Sequence, residues 1–311
     1  MSFPYIQPFL SLSNGINTMQ GGLISGDRGI IAGGWVNNTI HYLSIATLGN
    51  SVDFGDLLFN TTQPMGNTYS DSRSLFAGGA NGWPGTIQNV IQYITNATLG
   101  NAVDFGDLTL ARRNGEGAHS STRAIWMGGI ITSSSYNTID YVTMATTGNA
   151  TDFGDLILNI DGCGAMNSST RSINVGGRTA GGAYQNQIQY VTTATTGNGT
   201  DFGDLTNTAY GAMCSYDGTR GVRMVETYGA NTIDYITMAT TGNATDFGDS
   251  SATVRGGTNG ISNGFRGLMA GGSGTGYIEY VTIQTTGNSA NFGYAYSTDT
   301  GHKGGGNYVQ V

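Results

Sequence analysis

A short acidic motif that recurs along the chain limits its fold more than any other feature. The string Asp-Phe-Gly-Asp occurs five times, and a degenerate sixth copy reads Asn291-Phe292-Gly293-Tyr294. The phenylalanines of the six copies are 51, 48, 49, 45 and 45 residues apart. Self-similarity at a period of this length is typical of propellers and other repeat architectures. The chain therefore contains six copies of one structural unit.

Each copy of the motif is preceded by three further landmarks in a constant order. Gly-Asn comes shortly before the motif, Ile-x-Tyr lies further upstream, and an arginine followed by a short apolar run comes first. Gly-Asn is typical of tight hairpin turns. In the third repeat this order predicts four strands, a to d, over residues 115–121, 123–127, 139–146 and 151–157. The six arginines are Arg28, Arg73, Arg123, Arg171, Arg220 and Arg266.

The composition also favours strands over helices. Charged residues make up 10 % of the chain, and there are only three glutamates and one lysine, so strong helix formers are scarce. The 17 tyrosines and 11 phenylalanines can fill a core. A four-stranded meander repeated six times predicts an all-β, six-bladed β-propeller with four antiparallel strands per blade. An open stack of such sheets would leave long edges unpaired.

The repeats also define the expected boundaries of the domain. We expect an N-terminal arm over residues 1–18, the propeller over 19–298 and a C-terminal tail over 299–311. Because each repeat holds its own four strands, ring closure needs no strand from either end; alternatively, one end adds a strand across the closing blades. The blades are expected at about 19–60, 64–111, 115–160, 162–207, 210–254 and 258–298.

Charge and hydropathy exclude several kinds of partner. The net charge is −8 and the arginines are scattered, which disfavours binding to nucleic acid or to an anionic membrane surface. No apolar run approaches the roughly 20 residues of a membrane span, and the first ten residues do not resemble a secretory signal. Cys163 and Cys214 are interpreted as two buried free thiols.

Two features of the repeat resemble known propeller families. A Gly-Gly pair after strand b and a tyrosine in strand c resemble the kelch and galactose-oxidase-like propellers; the tyrosines are Tyr42, Tyr93, Tyr141, Tyr190 and Tyr280. The fifth repeat has Val225-Glu226 instead of the glycine pair, and the kelch tryptophan is missing. The string over 139–156 resembles repeats of structural proteins from aquatic tailed bacteriophages. That resemblance implies a virion surface protein with other virion proteins as partners, and it transfers no catalytic residues.

The aspartates and arginines of the repeat have a structural interpretation. Asp-Phe-Gly without the other kinase motifs, once per blade, is not a kinase site, and no calcium-binding loop accompanies it. We expect the phenylalanine to pack between blades, the glycine to permit a bulge in strand d, and the aspartates to cap turns. Strand polarity places the a–b and c–d turns on one face, here called the turn face, where six Arg–Asp pairs are expected. A ring of arginines that binds an anionic ligand is the alternative. The aspartates are Asp53, Asp56, Asp104, Asp107, Asp152, Asp155, Asp201, Asp204, Asp246 and Asp249.

No catalytic set is apparent in the sequence. His41, His119 and His302 occupy non-equivalent positions in their repeats, and the nucleophile elbow, the sialidase box and a Tyr–Cys–His copper set are absent. We therefore predict no enzymatic activity, no metal and no cofactor. A pair of carboxylates for glycoside hydrolysis stays open as an alternative.

The connections on the opposite face, here called the loop face, differ between repeats. The b–c loops range from about five residues to eleven, and the d–a connections also vary. Aromatic rings beside polar side chains suit sugars, so these loops are the candidate ligand site. The alternative is that each ring covers its own blade. The loop aromatics are Trp35, Trp83, Tyr136, Tyr184, Tyr228 and Tyr277.

These observations favour a non-enzymatic protein on the virion surface, as a tail fibre adhesin or as a decoration of capsid or tail. Its expected ligand is host-surface glycan or protein, bound through the loop face. Assembly of the chain into a homo-oligomer stays open. Two alternatives stay open: a purely structural virion subunit without a ligand site, and a carbohydrate-active hydrolase on a propeller scaffold.

Overall fold

The computed structural model describes residues 27–33, 36–82, 85–224, 231–251, 260–270, 277–294 and 303–306. These residues form strands and turns arranged as a six-bladed β-propeller built from six antiparallel sheets. Within the described ranges there is no α-helix, and so no helix that is long and apolar enough to cross a membrane.

The first three blades contain most of the short extra strands. Blade one contains β1 (Arg28–Ala32), β2 (Asn37–Ser44) and β3 (Val52–Thr62). Blade two begins with β4 (Met65–Tyr69) and β5 (Arg73–Ala77). The short β6 (Ala80–Asn81) and β7 (Thr86–Ile87) follow in the chain, but β6 pairs with β3 and so extends the sheet of blade one. β8 (Val90–Thr95) and β9 (Val103–Asp107) complete blade two. Blade three contains β10 (Glu116–His119), β11 (Arg123–Met127), β12 (Ile130–Ile131), β13 (Ser134–Thr143) and β14 (Thr151–Ile160).

The last three blades have four strands each. Blade four contains β15 (Gly164–Asn167), β16 (Arg171–Arg178), β17 (Tyr184–Thr192) and β18 (Thr200–Ala209). Blade five contains β19 (Met213–Tyr216), β20 (Arg220–Met224), β21 (Thr232–Thr237) and β22 (Thr245–Asp249). Blade six contains β23 (Gly260–Ser262), β24 (Arg266–Ala270), β25 (Tyr277–Thr282) and β26 (Ala290–Tyr294), and β27 (Lys303–Gly306) follows it.

The ring is closed by a strand from the C-terminal part of the chain. β27 pairs with β1 in antiparallel register, from Gly29 opposite Gly306 to Ala32 opposite Lys303. It also contacts β4 and β23, the innermost strands of the two neighbouring blades. Of the two readings of ring closure, the one in which an end of the chain adds a strand is therefore confirmed, and the tail expected over 299–311 contains the innermost strand of blade one. Residues 19–26, which the repeat pattern gave to that strand, lie outside the described residues.

The phenylalanine of the acidic motif packs between blades, as predicted. The six rings are at most 3 % exposed, and each meets the strand-c tyrosine of its own blade edge-on at 5.7–6.1 Å between centroids. Phe105 of blade two shares a cluster with Ala124 and Trp126 of blade three. Each of these rings therefore lies in a hydrophobic core that two neighbouring blades share.

The glycine of the motif lies where the next blade approaches most closely. At Gly154 the register of β13 and β14 shifts by one residue and φ is +142°, which is the predicted bulge. A Cβ atom at this position would lie 2.5 Å from the carbonyl oxygen of Gly197 in blade four. The neighbouring Asn198 Oδ1 accepts a hydrogen bond from the Asp155 amide at 3.0 Å. The Gly-Asn turn of one blade thus seats on strand d of the blade before it.

Candidate functional site

The six repeat arginines form one contact that recurs around the turn face. The Arg123 guanidinium lies 4.8 Å from the centroid of the Tyr141 ring, and its Nη1 donates to the carbonyl of Thr193 in the next blade at 3.2 Å. The same contact closes the ring, because Arg266 Nη1 donates to the Ala46 carbonyl of blade one at 2.8 Å. The other acceptors are the carbonyls of Asn96, Met144, Ala145, Met238, Ile283 and Ile45.

The expected Arg–Asp pairs on this face are wrong. In the part of the chain that the structure describes, the ion pairs are Arg112–Asp140, Arg178–Asp161 and Arg223–Asp234, and none contains a motif aspartate. The ten motif aspartates lie on the outermost strands and are exposed or half-exposed. Their carboxylates stay hydrated there, while the guanidiniums lie over tyrosine rings and reach carbonyls between blades. The arginines are interblade clamps, but to backbone rather than to carboxylate, and all six are engaged without a ligand.

The predicted loop-face aromatics fall into two groups. Trp35, Trp83 and Tyr228 lie outside the described residues. Tyr136 and Tyr184 are half-buried, and Tyr277 is 40 % exposed and lies 5.0 Å from the Tyr294 ring. None of the three described rings is buried within its own blade.

One of these rings belongs to a cluster that we call the arginine–tyrosine patch, made of Arg113, Arg178, Tyr184 and Tyr210. The Tyr184 and Tyr210 rings are stacked, with centroids 5.6 Å apart and planes 12° from parallel. The Arg178 guanidinium lies 4.5 Å from the Tyr210 centroid. The Arg113 Nη1 donates to Gln63 Oε1. All four side chains of the patch are half-exposed, so they meet solvent while their positions are fixed.

A buried carboxylate supports the patch from below. Asp161 is fully buried and accepts hydrogen bonds from Asn114 Nδ2 at 2.8 Å, Ser135 Oγ at 3.0 Å and Arg178 Nη2 at 3.0 Å. Asn114 Nδ2 also contacts the Tyr210 hydroxyl at 3.1 Å. A buried carboxylate with three donors is well satisfied, so it fixes the groups around it.

Backbone hydrogen bonds place the patch at the loop-face end of the central channel. The Asn114 amide donates to the Gln63 carbonyl at 3.0 Å, the Gly162 amide to Asn114 at 2.7 Å, and the Gly211 amide to Gly162 at 2.5 Å. Each of these four residues precedes the innermost strand of its blade by two positions. Gly162 has a φ of +60°, and the Tyr210 ring lies where a side chain at Gly162 would project. The rim of the channel thus forms a continuous support for the patch.

The environment of the patch keeps Arg113 and Arg178 charged and the Tyr210 hydroxyl neutral. Burial alone lowers the pKa of Arg178, but Tyr210 and the Asp161 carboxylate raise it overall. Burial and Asp161 raise the pKa of the Tyr210 hydroxyl. Burial lowers the pKa of Arg113, although a guanidinium stays protonated in proteins. The patch therefore offers stacked aromatic faces beside fixed hydrogen-bond donors.

A second candidate lies on the turn face between blades two and three. A cavity of about 280 Å³ is lined by Tyr69, His119 and Asn167, the last residues of three successive innermost strands, together with hydroxyl groups of the a–b turns. The His119 ring is 3.9 Å from the Tyr69 ring, and its buried Nδ1 has no hydrogen-bond partner among the described residues. Burial lowers the pKa of His119 to about 3, so the ring is neutral. Of the described residues that line this cavity, Asp71 alone carries a carboxylate.

Sequence reasoning missed both the patch and the place of His119. No other repeat has a histidine equivalent to His119, but the same position is occupied by Tyr69, Asn167 and Tyr216, each four residues before the clamp arginine. The signal in the sequence that could have indicated the place of His119 is the variation at this one position of an otherwise repetitive segment. No group of three or more His, Cys, Asp or Glu side chains arranged to hold a metal occurs within the described ranges.

The comparisons with known proteins support the fold alone. No protein-family model matches the chain, and no curated protein matches it. Among solved structures it is similar to the one reported as "Structure of YjhT", with a TM-score of 0.70 and 10 % sequence identity over 87 % of this chain and 95 % of that chain. In all, 574 chains of solved structures match, so the fold is too widespread to indicate one function.

Proposed function

We propose that this chain is a non-catalytic recognition protein on a virion surface, and that it binds host-surface glycan through the arginine–tyrosine patch and the neighbouring loop aromatics. We also propose that its repeats are kelch-like and related to those of phage structural proteins. The likeness of the string over 139–156 to phage repeats supports the virion setting and virion proteins as partners.

The observation that supports glycan binding is the pair of stacked tyrosines beside two guanidiniums at the end of the channel. A sugar ring presents C–H groups that pack on aromatic faces and hydroxyls that need hydrogen-bond partners. Tyr184 and Tyr210 offer the first, and Arg113 and Arg178 offer the second. Because Asp161 holds the Arg178 guanidinium and Asn114 holds the Tyr210 hydroxyl, these two side chains lose little entropy on binding.

The two alternatives have less support. A purely structural subunit would bind other virion proteins and no isolated glycan. A glycosidase needs two carboxyl groups about 5–9.5 Å apart at the substrate. Among the described residues, Asp71 is the one carboxylate that lines the turn-face cavity, and Asp161 is buried under the patch with three donors, so neither place resembles such a pair.

The test is binding of the fluorescently labelled chain to a panel of bacterial cells and to their extracted surface polysaccharide. Tyr184→Ala should reduce saturable binding by about tenfold or more, because it removes half of the stacked pair. Ser121→Ala, in the lining of the turn-face cavity, is the matched control and should bind like the wild type. Retained binding in Tyr184→Ala would exclude the patch. No binding by the wild type, with the chain found in purified particles, would indicate a structural subunit.

A further inference from the structure

Blades one and two differ in sequence from the other four blades at two positions that flank the Gly-Asn turn. Immediately before Gly-Asn, these two blades carry leucine, whereas the others carry threonine. Immediately before the acidic motif, they carry valine, whereas the others carry threonine or alanine. The residues are Leu48, Leu99, Val52 and Val103 in blades one and two, against Thr147, Thr196, Thr241, Thr286, Thr151, Thr200, Thr245 and Ala290 elsewhere.

The four apolar side chains are in contact with solvent. Leu48 and Leu99 are each 59 % exposed, Val52 is 52 % exposed and Val103 is 48 % exposed. Single exposed apolar residues are common and need no explanation. Here the exposure falls on equivalent positions of two adjacent blades, while threonine serves the same backbone positions in other blades. The fold therefore does not require these four side chains.

In each of the two blades the leucine and the valine lie four residues apart on the same c–d hairpin, and backbone contacts join the hairpin of blade two to the outermost strand of blade one. The Gly100 amide, next to Leu99, donates to the Phe54 carbonyl at 3.0 Å, two residues from Val52. Asn101 Oδ1 accepts from the Asp56 amide at 3.0 Å. The turn that carries Leu99 thus sits on the strand that carries Val52. We call Leu48, Val52, Leu99 and Val103 the apolar rim patch.

The border of the apolar rim patch is acidic. Asp53 and Asp104, next to the two valines, are exposed, and Asp56 and Asp107 are half-exposed. The clamp arginines of these blades, Arg28 and Arg73, lie over Tyr42 and Tyr93, 4.7 Å from the ring centroids, and are not available to neutralise the border. An apolar centre with an acidic border is complementary to an apolar centre with a basic border.

We propose that the apolar rim patch is the docking surface for another protein, one that presents apolar side chains flanked by lysine or arginine. A second copy of this chain is the weaker fit, because two such patches face to face would bring eight carboxylates together in a pair of chains that each carry a net charge of −8. The proposal goes beyond glycan binding. It assigns the outer rim of blades one and two to protein contact and leaves the loop face free.

The test uses variants copied from the chain's own repeats. Leu48→Thr, Val52→Thr, Leu99→Thr and Val103→Thr are combined in one variant, which carries the residues of blades three to five and should melt within a few degrees of the wild type. The probes are two short peptides, one alternating leucine with lysine and one alternating leucine with glutamate. The leucine–lysine peptide should bind the wild type about tenfold more tightly than the variant, although both retain every carboxylate.

Three results would overturn the proposal. Equal binding of the leucine–lysine peptide to both proteins would show that charge alone attracts it. Equal binding of the leucine–glutamate peptide to the wild type would remove the role of the acidic border. Sedimentation velocity that shows a wild-type dimer, absent in the variant, would make a second copy the occupant. If the fourfold variant melts early, Leu48→Thr with Leu99→Thr is measured in the same way, and unchanged peptide binding in that pair overturns the proposal equally.

Discussion

The two ends of the central channel differ in how regularly their side-chain contacts repeat from blade to blade. On the turn face one contact, an arginine over a tyrosine that reaches the next blade's carbonyl, recurs in all six blades. On the loop face, within the described residues, the arginine–tyrosine patch occurs once and combines residues from successive blades. Repetition satisfies the requirements that all blades share, and these are requirements of the fold. Departures from repetition are where this chain can carry a specific ligand.

The largest expected effect tests whether the repeated contacts hold the ring together. Gly154→Ala should cost on the order of 4 kcal/mol in unfolding free energy, because a Cβ would collide with the Gly197 carbonyl and φ is +142°. Gly181→Ala is the control, since no atom lies within 4 Å of a Cβ there, and it should change stability by less than about 1 kcal/mol. Urea denaturation measures both. Similar losses in the two variants would refute the close approach of the blades.

The next largest effect compares the stability contributions of a buried and an exposed aspartate that lie opposite each other on neighbouring strands of blade five. Asp234→Asn should cost about 3 kcal/mol, because it leaves the buried Arg223 guanidinium without its 2.6 Å ion pair. Asp246→Asn, on the exposed acidic motif directly opposite, should stay within about 0.5 kcal/mol of the wild type. Equal costs in denaturant titrations would mean that the motif aspartates have a structural role that the structure does not account for.

Burial of His119 at the turn-face cavity predicts a specific dependence of the unfolding free energy on pH. Its pKa in the folded chain is about 3, against an ordinary 6.5, so below pH 6.5 the unfolded chain takes up a proton that the folded chain refuses. Stability should therefore fall by up to about 1.4 kcal/mol per pH unit between pH 6.5 and pH 3 through this group.

The comparison that isolates the histidine is with His119→Asn, which places there the residue that blade four carries at Asn167. Between pH 6.5 and pH 4 the variant should lose less stability than the wild type, whatever its stability at neutral pH. Parallel curves of melting temperature against pH would show that the His119 ring is accessible to protons in the folded chain.

The smallest effect tests what the clamp arginines bind. Arg123→Gln should cost about 1–2 kcal/mol, from the charge-assisted hydrogen bond to Thr193 and the contact with the Tyr141 ring. In a double-mutant cycle with Asp152→Asn the coupling energy should be near zero, because the structure forms no pair between these side chains. A coupling of about 1 kcal/mol would restore the Arg–Asp pairing that the sequence suggested.

The repeat period predicted much of the fold because each blade repeats the same local solution. The period gave six blades, and β11 begins and ends where the third repeat predicted it. The phenylalanine between blades and the glycine bulge also follow from the motif. The partner of the clamp arginine did not follow, because its acceptor is a backbone carbonyl, and every residue has one.

Neither the closing strand nor the candidate site could be predicted from local sequence patterns, and the reason is the same for both. β27 reads Lys-Gly-Gly-Gly, and nothing in that string favours a strand, since its pairing is imposed by the edge of β1. The patch joins Arg113, Arg178, Tyr184 and Tyr210, and these residues, together with the supporting Asp161, are brought together only by the packing of successive blades. No spacing in the sequence signals a site assembled from such distant positions.

The strand that closes the ring also sets the order of events during synthesis. β1 leaves the ribosome before its inner partner, β27, which is made some 270 residues later. The inner edge of β1 therefore lacks this partner until β27 has been translated. A chain that stops before Lys303 cannot complete the circle and exposes that edge to other chains or to proteases. The closing strand thus makes closure of the ring depend on translation through Gly306, because only chains that contain β27 can pair it with β1.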